Sequence, residues 1–171
     1  MSDSMSSPDL ESLVAQHHQV LFRYAYRLSG SVADAEDLTQ QVFMVAHQKL
    51  SQLRRVQSTR SWLFTVLRNC YLKGFRKPVP VSASSLELDI DGVAAEVPSN
   101  EIIDREALQA ALDQLPDEFK IVLVMFYFEH CSYKEIAEQL SLPPGTVMSR
   151  LSRAKRHLRR RLFESEAAST T

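Results

Sequence analysis

The side chains with the most chemistry to offer lie between Thr146 and Phe163. This stretch carries seven basic residues, Arg150, Arg153, Lys155, Arg156, Arg159, Arg160 and Arg161, and no acid. At the turn angle of an α-helix, Val147, Leu151, Ala154, Leu158 and Leu162 gather within about 80° of arc. Ser149, Arg153, Arg156 and Arg160 fall on the opposite face, with Thr146 and Ser152 beside them. An apolar back and a Ser/Arg front suit a helix laid in the major groove of DNA. Its first turns reach base edges while later arginines meet phosphates. Arginine can hold guanine at two atoms at once, and Ser or Thr can contact several bases. Arg150 points toward the flank, which favours a structural or phosphate role, with Glu135 as its expected ion-pair partner.

A second acid-free cluster runs from Ser58 to Lys77, where Arg60, Arg68, Lys73, Arg76 and Lys77 make five basic residues. Between the clusters, Pro78 to Glu118 holds ten acids against the single Arg105. The net charge of −1 therefore hides a segregated chain. A helix face that serves only as a solvated surface usually mixes both signs. Two cationic elements without acids instead favour a polyanion, held by phosphate contacts and counterion release.

Other chemistry is poorly supplied. There is no Gly-rich phosphate loop, no metal-ligand cluster and no Ser/His/Asp arrangement with supporting context. His17 and His18 are neighbours and so diverge by about 100° on a helix. Asp34, Glu36 and Asp37 sit at a helix start with no partner base. Cys70 and Cys131 are far apart in apolar helical contexts, and no second CxxC or HxxxH pair completes a site around His130 and Cys131. Buried thiols are the simpler reading. The sequence thus predicts no enzyme, no cofactor and no metal. The first thirty residues lack a basic segment followed by a continuous apolar one, and no run is long enough to cross a bilayer. A cytoplasmic protein without membrane insertion is expected.

The elements that must position these groups are helical. Apolar periodicity predicts helices over Asp9–Leu28, Val32–Leu50 and Arg60–Phe75, with a polar loop at Ser51–Thr59. A second set covers Glu101–Leu115, Asp117–Phe128, a helix to Leu140 opened by the capping box Ser132–Glu135, and Thr146 to about Leu162. The fold class is all-α: two small helical domains joined by a flexible linker, the second containing a helix-turn-helix. The expected bounds are 9–77, an acidic linker at 78–100, 101–163, and a frayed tail at 164–171. Extended, the linker reaches at most about 75 Å. Trp62, at the head of an amphipathic helix, is expected in the core rather than as a stacking platform.

Three motifs, in this order, resemble one family. Asp34-Ala35-Glu36-Asp37-Leu38-Thr39-Gln40-Gln41-Val42-Phe43 is similar to the polymerase-binding helix of sigma factors of the extracytoplasmic-function (ECF) group. Ser61-Trp62-Leu63-Phe64, continuing through Arg68-Asn69, resembles their minus-ten helix. Leu115-Pro116-Asp117-Glu118, Ser132-Tyr133-Lys134-Glu135-Ile136-Ala137 and Gly145-Thr146-Val147-Met148-Ser149-Arg150-Leu151-Ser152-Arg153-Ala154 resemble their minus-thirty-five domain.

The resemblance implies core RNA polymerase and promoter DNA as partners, and an anti-sigma factor of the kind that holds many members inactive. Asp34, Glu36, Asp37, Gln40, Gln41 and Phe43 would meet the polymerase. The Ser51–Arg60 loop would capture a flipped base, with Arg54, Arg55, Arg60 and Asn69 as the minus-ten contacts. Thr146, Met148, Ser149, Ser152, Arg153, Arg156 and Arg160 would contact the minus-thirty-five element. Two positions depart from the family pattern. Met148 stands where Lys or Arg is common, and Lys73-Gly74 interrupts the minus-ten helix. Both bear on promoter sequence. The alternative is a helix-turn-helix regulator that acts without docking on polymerase.

Overall fold

The computed structural model of the protein describes residues 9–53, 58–75 and 105–167. These are helical throughout apart from short connections, and they divide into two compact units, residues 1–76 and 77–171. The expected linker at 78–100 lies outside the described residues, as do Arg54 and Arg55.

In the first unit, α1 spans Leu10–Ser29. Asp9 caps it: its carboxylate accepts from the Ser12 amide at 2.7 Å, which holds the Asp9 carboxyl below its usual pKa. Gly30 ends it at φ 72°, a left-handed value that a Cβ would oppose. Ser31 then caps α2, Val32–Gln48, by accepting from the Asp34 amide. The short α3, Leu50–Leu53, occupies part of the expected polar loop, because Leu53 is buried and draws the chain back onto the unit. Ser58 caps α4, Thr59–Cys70. Leu21, Tyr24 and Leu28 of α1 share the core with Leu38 and Val42 of α2 and with Leu63, Phe64 and Leu67 of α4. The Tyr24 and Phe64 rings stack at 4.8 Å. Each buried Leu or Phe is worth about 1.5–3 kcal/mol, so a three-helix core this small suffices.

Two details differ from expectation. Trp62 is only half-buried, and Phe64, two positions on, fills the core instead. The last helix of the unit does not run unbroken to Phe75: Tyr71–Phe75 forms a π-turn, where Gly74 contributes little helix propensity.

The second unit holds α5 (Arg105–Asp113), α6 (Asp117–Phe128), α7 (Tyr133–Leu140) and α8 (Pro144–Ala167). Helix α6 is apolar on nearly every side and is the unit's core, with Phe119 and Ile121 to Met125 buried. The predicted capping box is present. Glu135 accepts from the Ser132 amide at 2.7 Å, and Ser132 Oγ accepts from the Glu135 amide at 3.2 Å. Helix α7 stops at Ser141, left-handed at φ 54°, and the Leu142 amide turns back to the Ala137 carbonyl at 2.9 Å. Helix α8 begins at Pro144 rather than Thr146, since a proline's fixed φ suits a first helical position. It continues through Ala167, into the segment expected to fray.

Candidate nucleic-acid and partner interfaces

Helix α8 presents two faces. Val147, Leu151 and Ala154 are fully or almost fully buried against α5, α6 and α7, which fixes the helix's rotation. Outside that buried stripe Met148, Ser149, Arg156 and Arg160 are exposed, and Thr146, Ser152 and Arg153 are half-buried. Of the seven predicted upstream contacts, Ser149, Arg153, Arg156 and Arg160 lie on the front opposite the buried stripe, Thr146 and Ser152 lie beside them, and Met148 lies at the flank away from Arg150. The Ser149 hydroxyl donates to the Thr146 carbonyl at 3.0 Å.

Two cations of the basic run are turned away from that front. Arg150 pairs with Glu118 on α6 at 3.1 Å, not with Glu135 as the sequence suggested. The reason is local: the Glu135 carboxylate is already held by its own cap, which also lowers its pKa. Lys155 lies over the Phe126 and Tyr127 rings at 4.8 and 5.7 Å, a cation–π contact within the unit. His157 faces α5, bonded to the Ala111 backbone. Its pKa is pushed down by burial and then by Arg161 and Arg160, against that bond. Its Nε2 is enclosed with no hydrogen-bond partner among the described residues.

In the first unit, Glu36, Asp37, Gln40 and Gln41 are exposed along one side of α2, spaced three and four residues apart. Asp34 is half-buried beside the cap. Phe43 is not on this face: it is 8% exposed, with its ring 6.3 Å from the His18 ring. The apolar group that does join the carboxylates and amides is Met44, 58% exposed. Sequence reading passed over it, although Gln40 and Gln41 four and three positions earlier put it on the same side. Gln40, Phe43, Met44, His47 and Gln48 line an open groove with Leu10 of α1, of about 380 Å³.

Of the predicted minus-ten contacts, the two among the described residues, Arg60 and Asn69, are not brought together. Arg60 is exposed at the head of α4, its guanidinium 5.4 Å from the Phe64 ring centre. It also adds to the burial that keeps His17 below the ordinary histidine pKa. Asn69 is exposed near the other end, about 13 Å along the axis and half a turn round. Arg68, counted among the acid-free cations, is buried and donates to Thr65 Oγ1 at 3.1 Å. Among the described residues no cluster of three or more His, Cys, Asp or Glu is placed to hold a metal, and no helix is long and apolar enough to cross a membrane.

Known proteins share both units. The family models Sigma-70 region 2 and Sigma-70, region 4 match residues 13–78 and 105–158. The chain is 38% identical over 162 residues to the ECF RNA polymerase sigma factor SigE of Mycolicibacterium smegmatis, covering 92% of this chain. It spans 63% of that relative's length. It is 34% identical to the ECF RNA polymerase sigma factor SigL of Mycobacterium tuberculosis, covering 91% of this chain and 89% of that one. Among solved structures, the sigma factor RpoE of Bartonella quintana, in complex with the anti-sigma factor NepR, is similar with a TM-score of 0.66 at 27% identity. That match covers 90% of this chain and 96% of the other. CnrH, solved with the cytosolic domain of CnrY, shares the fold at 22% identity and a TM-score of 0.59, over 95% of this chain and 89% of that one.

Proposed function

The chain belongs to the sigma-70 family, among the ECF RNA polymerase sigma factors, and on that premise we propose that it binds core RNA polymerase, directs it to specific promoters and assists DNA melting at initiation. It acts as an adaptor rather than an enzyme, in the cytoplasm, where polymerase and chromosome are. Residues 9–77 serve polymerase binding and the minus-ten element, and residues 101–163 the minus-thirty-five element.

The observation that carries this reading is the exposed acid and amide face of α2 in the same chain as the acid-free front of α8. A regulator that only binds DNA needs the second and has no use for the first. Glu36, Asp37, Gln40 and Gln41 pair with basic and polar groups of a polymerase helix, and Met44 adds an apolar contact. Phe43 supports that face from beneath through its packing on His18. Extruding a promoter base costs a few kcal/mol, which a pocket and nearby cations must offset. Arg60, with Arg54 and Arg55, supplies the cations, and Asn69 makes a separate contact from the other side of α4. Upstream, Met148, Ser149, Ser152 and Arg153 read bases while Arg156 and Arg160 hold phosphates, with Thr146 at the helix head. The relative solved with NepR supports an anti-sigma factor as a further partner.

Co-purification tests the reading. The chain should be retained by core RNA polymerase and, added to it, should give run-off transcripts from selected promoters. A chain that binds promoter DNA yet is never retained by core polymerase is a regulator of the other kind.

A further inference from the structure

The head of α8 carries an apolar group where a polar one would ordinarily face DNA. Met148 is 53% exposed, although Val147 beside it is fully buried. The burial of Val147, Leu151 and Ala154 fixes the helix's rotation, so Met148 cannot turn inward without unpacking the unit. The nearest cations do not compensate: Arg150 is tied to Glu118, and Arg153 lies more than a turn further along. The first turns of α8 therefore offer a thioether beside the Ser149 hydroxyl, which donates to the Thr146 carbonyl at 3.0 Å.

The thioether selects among bases. Guanine shows acceptors to the major groove at N7 and O6, which a thioether cannot satisfy, so beneath Met148 they would lose water without recompense. Thymine shows a C5-methyl, the one apolar group on the major-groove base edges, and adenine shows an amino donor at N6. A flexible, polarisable thioether covers a methyl well. We propose, resting on the promoter-binding reading above, that Met148 reads the C5-methyl of a thymine in the upstream promoter element. Met148 thereby selects an A·T pair at that position.

The test uses the full chain with core polymerase on a promoter selected from a library randomised in the upstream element. Each thymine of that element is replaced in turn by deoxyuridine, which removes only the methyl group, and run-off transcription is measured. At one position the parent should lose about four-fold, the worth of one buried methyl group. Met148→Ala should be indifferent to the same replacement, and Met148→Lys should move the preference there from thymine toward guanine. Circular dichroism of the variants should match the parent, because Met148 is 53% exposed and lies outside the buried stripe. If no thymine replacement separates the parent from Met148→Ala, or Met148→Ala keeps the parent's sensitivity, the inference is overturned while the sigma reading stands. If the parent itself transcribes from no template with core polymerase, the sigma reading falls and this inference with it.

Discussion

Arg153 and Asp37 separate the two kinds of contact proposed for this protein. Arg153 lies on the α8 front, and Asp37 lies on the exposed face of α2. Arg153→Ala should lower promoter binding by about 1–3 kcal/mol and relax preference at one upstream position, read in run-off assays across a promoter library. Asp37→Ala should weaken retention by core polymerase and leave sequence preference unchanged. Two variants that behave like the parent on every template would refute both assignments. His157 offers a pH readout. Its folded pKa lies below the ordinary 6.5, so folding favours the neutral ring, and the stability this gives is full above 6.5 and lost as pH falls through the folded value. In His157→Gln that loss is absent, so the stability gap between parent and variant should narrow as pH drops below 6.5 in thermal melts. A gap that stays constant with pH would show that the imidazole titrates alike in both states. Which cations face solvent was only partly legible from sequence. Charge counting cannot see that Arg68 is buried, that Lys155 covers two aromatic rings or that Arg150 reaches α6, since each depends on a neighbour distant in sequence.

Helix ends and breaks carry separable amounts of stability. Gly30 sits at φ 72°, so Gly30→Ala should destabilise the first unit by about 1–2 kcal/mol. Gly74 has no such demand, and a Cβ there would meet nothing within 4 Å. Gly74→Ala should therefore stabilise the same unit by about 0.4–1 kcal/mol, mainly by restricting the unfolded chain. Opposite shifts in denaturant midpoint are the expected result, and equal shifts would count against the backbone argument. Ser132→Ala removes the cap of α7 and should cost about 1 kcal/mol. Most of this layer was readable in advance. The Ser132–Glu135 box and the apolar period of α8 are local signals, and α6 spans the residues the periodicity predicted, whereas the helix expected to run to Leu115 ends at Asp113. What periodicity missed depends on tertiary burial: Phe64 rather than Trp62 in the core, Leu53 pulling α3 out of the loop, and Phe43 facing His18 instead of a partner. Met44 is a different case, since its helical spacing from Gln40 and Gln41 was a local signal for its side of α2.

At the scale of the whole chain, neither unit supplies the function alone. On the proposed assignment, the second unit carries the DNA-reading front and the first carries the polymerase-binding face. Polymerase recruitment explains why both are present: holding the enzyme on α2 turns two weak promoter contacts into one effective grip, through a raised local concentration rather than any new contact. Charge segregation in the sequence made this division visible, and the family matches to both units agree with it. The direct test is the affinity of the full chain for a duplex promoter, measured at fixed salt with and without core polymerase. Tight, sequence-selective binding that appears only when polymerase is present is the predicted result. Equally tight and selective binding by the chain alone would contradict the account.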